Sequence, residues 1–135
     1  MIELVWDAGR LGTATAPSGM SVTVGEQAHF SPDDLLAMAA ASCLMRTFLR
    51  LAENAHLVVL SYAANARAEP ACEANADPHV TVHAYVVAPS RADEEALAKL
   101  CDESARVSPI VKLLGDRATV TSEVRVLCET GAAGG

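Results

Sequence analysis

The sequence predicts an α+β fold, and three observations carry that prediction. Residues 79–88, HVTVHAYVVA, alternate with period two. Val80, Val82, Ala84 and Val86 share one face and His79, Thr81, His83 and Tyr85 the other, as a half-buried strand requires. Residues 31–50, SPDDLLAMAAASCLMRTFLR, begin with helix-start signals and stay apolar on every face through their middle. Residues 91–107 then repeat Ala96, Leu97, Leu100 and Cys101 at helical spacing, with a last β-type run after them. Strands and helices thus follow one another without the regular βα alternation of a parallel fold.

IELVWDAG and RLGTATAPSGMSVTVG alternate loosely around the turn signals Ala8-Gly9 and Pro17-Ser18-Gly19, which predicts a meander of two or three short strands. Ser31 is placed to cap a helix, with Pro32 at its first position and Asp33 and Asp34 favoured by the helix dipole. This helix is expected to reach Ala52. Residues 57–69, LVVLSYAANARAE, read as a strand, followed by the loop PACEANADP and the strand 79–88. Ser90 caps a second helix, and Ser108-Pro109 breaks it to start a short third one, IVKLL, ended by Gly115. RATVTSEVRVLCE is the final strand. A single domain over residues 1–130 with a disordered tail, 131–135, is expected.

At 135 residues the chain can bury a real core, yet its 51 % hydrophobic content includes only 4 % aromatics. Alanine, valine and leucine bury little area each, so burial against a second copy is favoured. A helix apolar all round points the same way, because such a helix must be surrounded. The net charge of −7 argues against nucleic-acid and anionic-membrane partners, which need a positive face. No run of about 18 uninterrupted apolar residues predicts a membrane span. Glu3 and Asp7 stand where a signal peptide needs positive charge, so a cytoplasmic protein is expected.

Cys43, Cys72, Cys101 and Cys128 lie far apart with no CxxC pair, so free thiols are expected rather than a metal knuckle or a disulfide framework. His79 and His83 share a strand face about 13 Å apart, too far for one ion, and His29 and His56 flank the long helix. No metal and no cofactor are expected. Cys43 leaves two readings open: a small core residue, or a reactive thiolate. It lies about 16 Å from the helix start, beyond the reach of the dipole. Activation therefore needs a cation, either Arg46 on a neighbouring face or Arg10 in the turn AGRLG.

Three blocks, AGRLGTATAPSGMSV, SPDDLLAMAAASCLMRTFLRLAEN and ESARVSPIVKLLGD, resemble in order the OsmC/Ohr family of bacterial thiol-dependent peroxidases. The resemblance implies antiparallel sheets wrapped around a long buried helix in an intertwined homodimer. It implies reduction of organic hydroperoxides, and of hydrogen peroxide, through a sulfenic acid, with a small thiol or dithiol as reductant. It gives Cys43 the peroxidatic role and Arg10 the thiolate-stabilising role. Asp33 falls where one branch of the family has a glutamate that holds the arginine; as an acid at a helix N-terminus it also has a purely structural explanation. Ser108 stands where the family has its resolving cysteine, and by its own chemistry reads as the N-cap before Pro109. Cys101, two turns earlier, is the candidate for a displaced resolving thiol, or else a core residue of its helix. Asp33 and Cys43 are about 15 Å apart on one helix, so a shared site requires Asp33 from the partner subunit. The same fold serving as a binding module for a small hydrophobic ligand is the alternative.

Overall fold

The N-terminal meander forms as expected. β1 (Glu3–Ala8), β2 (Leu11–Thr15) and β3 (Ser21–Val24) make an antiparallel three-stranded sheet in that order. The structure is a computed structural model that describes residues 1–25, 29–69 and 77–127. Trp6 Nε1 donates to the Gly9 carbonyl at 2.9 Å and closes the β1–β2 turn, where Gly9 takes a positive φ of 58°. Every residue of β1 is exposed, Leu4, Val5 and Trp6 included.

α1 (Pro32–Asn54) starts at a reciprocal cap. Ser31 Oγ accepts the Asp34 N–H at 3.1 Å, and Asp34 Oδ2 accepts the Ser31 N–H at 3.0 Å. The helix runs two residues past the expected Ala52, and His56, at a φ of 59°, turns the chain away. Ala37, Ala40, Leu44, Thr47, Phe48 and Ala52 form its buried stripe, while Met38, Met45 and Leu49 are exposed. One chain therefore covers only one side of a helix whose sequence asks to be covered all round. By length and composition α1 would also suffice to cross a membrane, but it packs against the second sheet and the later helices as a core helix does.

β4 (Ser61–Glu69) begins four residues later than expected. Leu57 and Val59 instead pack on the cluster around Phe48 as an extended lead-in, and the Leu60 N–H donates to Val87 O. β5 (His79–Ala88) alternates as read, burying Val80, Val82, Ala84, Val86 and Ala88. α2 (Arg91–Val107), α3 (Pro109–Leu114) and a 3-10 turn (Gly115–Arg117) then carry the chain back, so β6 (Ala118–Val126) runs parallel to β5. The expected antiparallel sheet is thus a mixed one, in the order β4-β5-β6. A helical crossover returns the chain to the end where β5 began, which only a parallel neighbour can use.

Two core clusters join α1 to this second sheet. Phe48, Ala52, Val86, Ala88, Leu97 and Cys101 form one. Ala40, Leu44, Val80 and Val82 form the other, with Ile110 and Leu114 of α3 packed against it. The first sheet touches the rest of the described chain only thinly, and a cleft of about 830 Å³ lies between β3, α1 and β4. Cys72, Cys128 and the tail 131–135 lie outside the described residues.

Candidate functional site

Cys43 is half-buried on α1, where α3 begins beside it. Ser108 is fully buried and its hydroxyl donates to Cys43 Sγ at 3.1 Å. Pro109 has no N–H, so the first backbone donor that α3 can offer is that of Ile110, and it too is directed at the sulfur. Thr47, one turn further along α1, supplies a second hydroxyl, and Arg46 at the next face adds positive charge. Partial desolvation pushes the Cys43 thiol up. The Ser108, Ile110 and Thr47 hydrogen bonds, helped by Arg46, outweigh it and bring the thiol below its ordinary value. Donors to a thiolate are worth more than donors to a thiol, which is why three of them can overcome burial.

Ser108 is by position the N-cap of α3 and the C-cap of α2, but its side chain makes no cap hydrogen bond. The expectation that it serves Pro109 as a cap is corrected here. Its backbone N–H donates to Ser104 O and its carbonyl accepts the Lys112 N–H, so the backbone alone ties the two helices. The hydroxyl is left to turn inward, where the sulfur is its acceptor. Ser90, at the start of α2, likewise makes no cap to a backbone N–H; it donates to Asp93 Oδ2 at 3.4 Å.

Cys101 is buried in the Phe48 cluster rather than among the groups around Cys43. Burial pushes its thiol up, a hydrogen bond with Ser122 offsets part of this, and the Asp102 charge adds to the rise. Arg10 follows the β1–β2 turn and lines a groove of about 430 Å³ with Trp6, Gly25 and Pro32. This is the N-terminal end of α1, where Asp33 also sits, about 15 Å along the helix from Cys43. Within one chain the structure therefore groups Arg10 with the Asp33 end and Cys43 with Ser108, Ile110, Thr47 and Arg46.

His79 Nε2 pairs with Thr119 Oγ1 at 2.7 Å, while His83 pairs with Thr121 and, at 3.2 Å, with Glu123. Among the described residues no group of three or more His, Cys, Asp or Glu side chains is placed to hold a metal ion. Sequence reasoning missed Thr47 and the Ile110 N–H. Thr47 was legible as the residue four positions after Cys43 on the same helix face. Ile110 was not, because its approach depends on how α3 docks.

A family model described as OsmC-like protein matches residues 25–123. A comparison with curated proteins returns no match. Among solved structures, an OsmC-like protein from Mycoplasma pneumoniae superposes with a TM-score of 0.77 at 14% identity, covering 94% of this chain and 96% of that one. An OsmC-like protein of unknown function from Vibrio cholerae gives 0.75 at 18% identity, over 92% and 97% of the two chains. The organic hydroperoxide resistance protein OhrB of Bacillus subtilis gives 0.66 at 16% identity, over 93% and 98%. At such identities the likeness carries the fold.

Proposed function

The chain belongs to the OsmC-like family, and from that premise we propose that it is a thiol-dependent peroxidase that reduces hydroperoxides at Cys43. The convergence of Ser108, the Ile110 N–H and Thr47 on one sulfur supports this reading most, since a core cysteine has no use for three donors. The name of the Bacillus subtilis protein of the same fold agrees with it.

In the proposed cycle the Cys43 thiolate attacks the distal oxygen of the hydroperoxide. The S–O bond forms as the O–O bond breaks, the alkoxide leaves and takes up a proton as the alcohol, and Cys43 becomes a sulfenic acid. An external thiol or dithiol returns it to the thiolate. Arg10 and Asp33 join this site from a second copy. An antiparallel pairing of two α1 helices sets the Arg10–Asp33 end of one chain beside Cys43 of the other. Exposed Leu4, Val5 and Trp6 on β1, and Met38, Met45 and Leu49 on α1, support such a homodimer.

The cleft between β3, α1 and β4, lined by Val22, Phe30, Met38 and Ala41 among others, favours a second reading, a binding module for a small apolar ligand. Consumption of cumene hydroperoxide and hydrogen peroxide with excess dithiol separates the two. Rapid turnover lost in Cys43→Ser and kept in Cys101→Ser supports the peroxidase with an external reductant. Loss in Cys101→Ser as well assigns Cys101 the resolving role, and a wild type no faster than free dithiol leaves only the binding module.

A further inference from the structure

Position 108 is held by both helices that meet at it. Its N–H and carbonyl are both used, on Ser104 O and the Lys112 N–H, and its side chain has no exposure. The backbone fixes where the Cα–Cβ bond points, and the buried hydroxyl takes Cys43 Sγ as its acceptor at 3.1 Å. A thiol in the same place would need an approach of about 1 Å to reach the S–S length of about 2.05 Å. The hydroxyl can form no such bond. It can hold the sulfur, in the thiolate and in the oxidised form, without consuming it.

We propose that Ser108 is a positioning residue that keeps Cys43 an open, one-cysteine site: it occupies the side of the sulfur from which an internal thiol would close a disulfide, and leaves the exposed side to a small external monothiol. The proposal rests on the peroxidase reading for its chemistry and on the Ser108–Cys43 geometry for its residue. After oxidation, the monothiol sulfur attacks the Cys43 sulfenic acid. The new S–S bond replaces the S–O bond, and the hydroxide departs as water with the monothiol's proton. A second monothiol loses its proton to solvent and attacks the small molecule's sulfur in the mixed disulfide; the S–S bond to Cys43 breaks, releasing the Cys43 thiolate and the symmetrical small disulfide.

Three variants test this, with modified peptides mapped by mass spectrometry. Ser108→Ala should move the pH profile of Cys43 alkylation by iodoacetamide upward, with roughly ten-fold slower reaction at neutral pH. Ser104→Ala removes another buried hydroxyl, one that serves the Cys101 carbonyl, and should leave that profile in place. With one equivalent of cumene hydroperoxide, Ser108→Cys should form a disulfide between Cys43 and the introduced thiol, whereas the wild type with 2-mercaptoethanol should carry a mixed disulfide at Cys43. A folded Ser108→Cys that forms no internal disulfide, or a Ser108→Ala profile equal to that of the wild type, overturns the proposal. If Ser108→Cys does not fold, the Ser108→Ala profile decides alone. If the wild type yields no sulfenic acid while the Ser108→Ala profile still shifts, the peroxidase reading falls and the positioning role of Ser108 stands.

Discussion

Cys43 becomes more acidic where burial alone would make it less so, because the donors of a second helix start reach it. Its alkylation rate should rise with pH about a midpoint lower than that of an ordinary thiol, as read by thiolate absorbance or iodoacetamide kinetics. Arg46→Ala should raise the midpoint by less than Ser108→Ala does, since Arg46 is exposed and salt screens it; a midpoint insensitive to both changes would show that the donors do not act on the thiolate. Folded Cys43 gives up its proton at a lower pH than the unfolded thiol does. Its contribution is complete above the ordinary thiol value of the unfolded chain and is lost as pH falls through the lower folded value. Tyr62 is opposite: burial, with a smaller effect of Cys101, pushes its phenol from 10.0 up to about 12. Its contribution is present below pH 10 and is lost as pH rises toward about 12. The Tyr62 hydroxyl is buried without a partner among the described residues, so Tyr62→Phe should stabilise the fold by about 1 kcal/mol in urea titrations. Cys43 and Arg46 were legible as candidates and Thr47 could have been, but Ser108 and the Ile110 N–H were not, because Ser108 is 65 residues away and meets Cys43 only through packing.

At the scale of elements, local chemistry explains most of what forms. The Ser31–Asp34 reciprocal cap supports α1 at the end that also carries Asp33. Ser31→Ala should cost about 1 kcal/mol in thermal or urea unfolding, and no loss would mean that packing alone holds the helix start. Gly25 takes a φ of +147°, and a Cβ there would stand 2.2 Å from the Arg10 carbonyl. Gly25→Ala must therefore push the Arg10 turn away from its position beside Pro32. Lowered peroxide turnover with an unchanged Cys43 alkylation profile is the expected signature, since the groups around Cys43 lie on other elements. The boundaries of α2 and β5 follow their sequence patterns closely because helical periodicity, the proline after α2 and strand alternation agree there. The start of β4 does not, because Leu57 to Leu60 have strand composition yet reach only a lead-in to the ladder.

At the scale of the whole molecule, the three-stranded sheet of β1, β2 and β3 is the element least explained by one chain. Three short strands with thin contacts to the rest leave Leu4, Val5 and Trp6 in water. A second copy lying on β1 and on the Met38–Met45–Leu49 side of α1 would bury both surfaces. Sedimentation should then give twice the chain mass. Trp6→Glu should lower that mass and the melting temperature together; a wild type that sediments as a monomer at micromolar concentration would overturn the proposed route for Arg10 and Asp33 to Cys43.

By itself the sequence determined the α+β class, the run of strands and helices, the inward faces of β5 and α2, and the candidacy of Cys43. The class, the run of elements and the inward faces depend on periodicity, caps and turn residues, which act over a few positions along the chain, whereas the candidacy of Cys43 rests on the blocks that resemble the OsmC/Ohr family. The tertiary structure alone decided that β6 lies parallel to β5, that Ser108 turns to the sulfur instead of capping α3, and that Cys101 belongs to the core. It also decided that Arg10 stands at the far end of α1 from Cys43. Each of these is a meeting of residues distant in sequence. It is set by how α1, α2 and α3 pack on one sheet, and no local pattern encodes that packing.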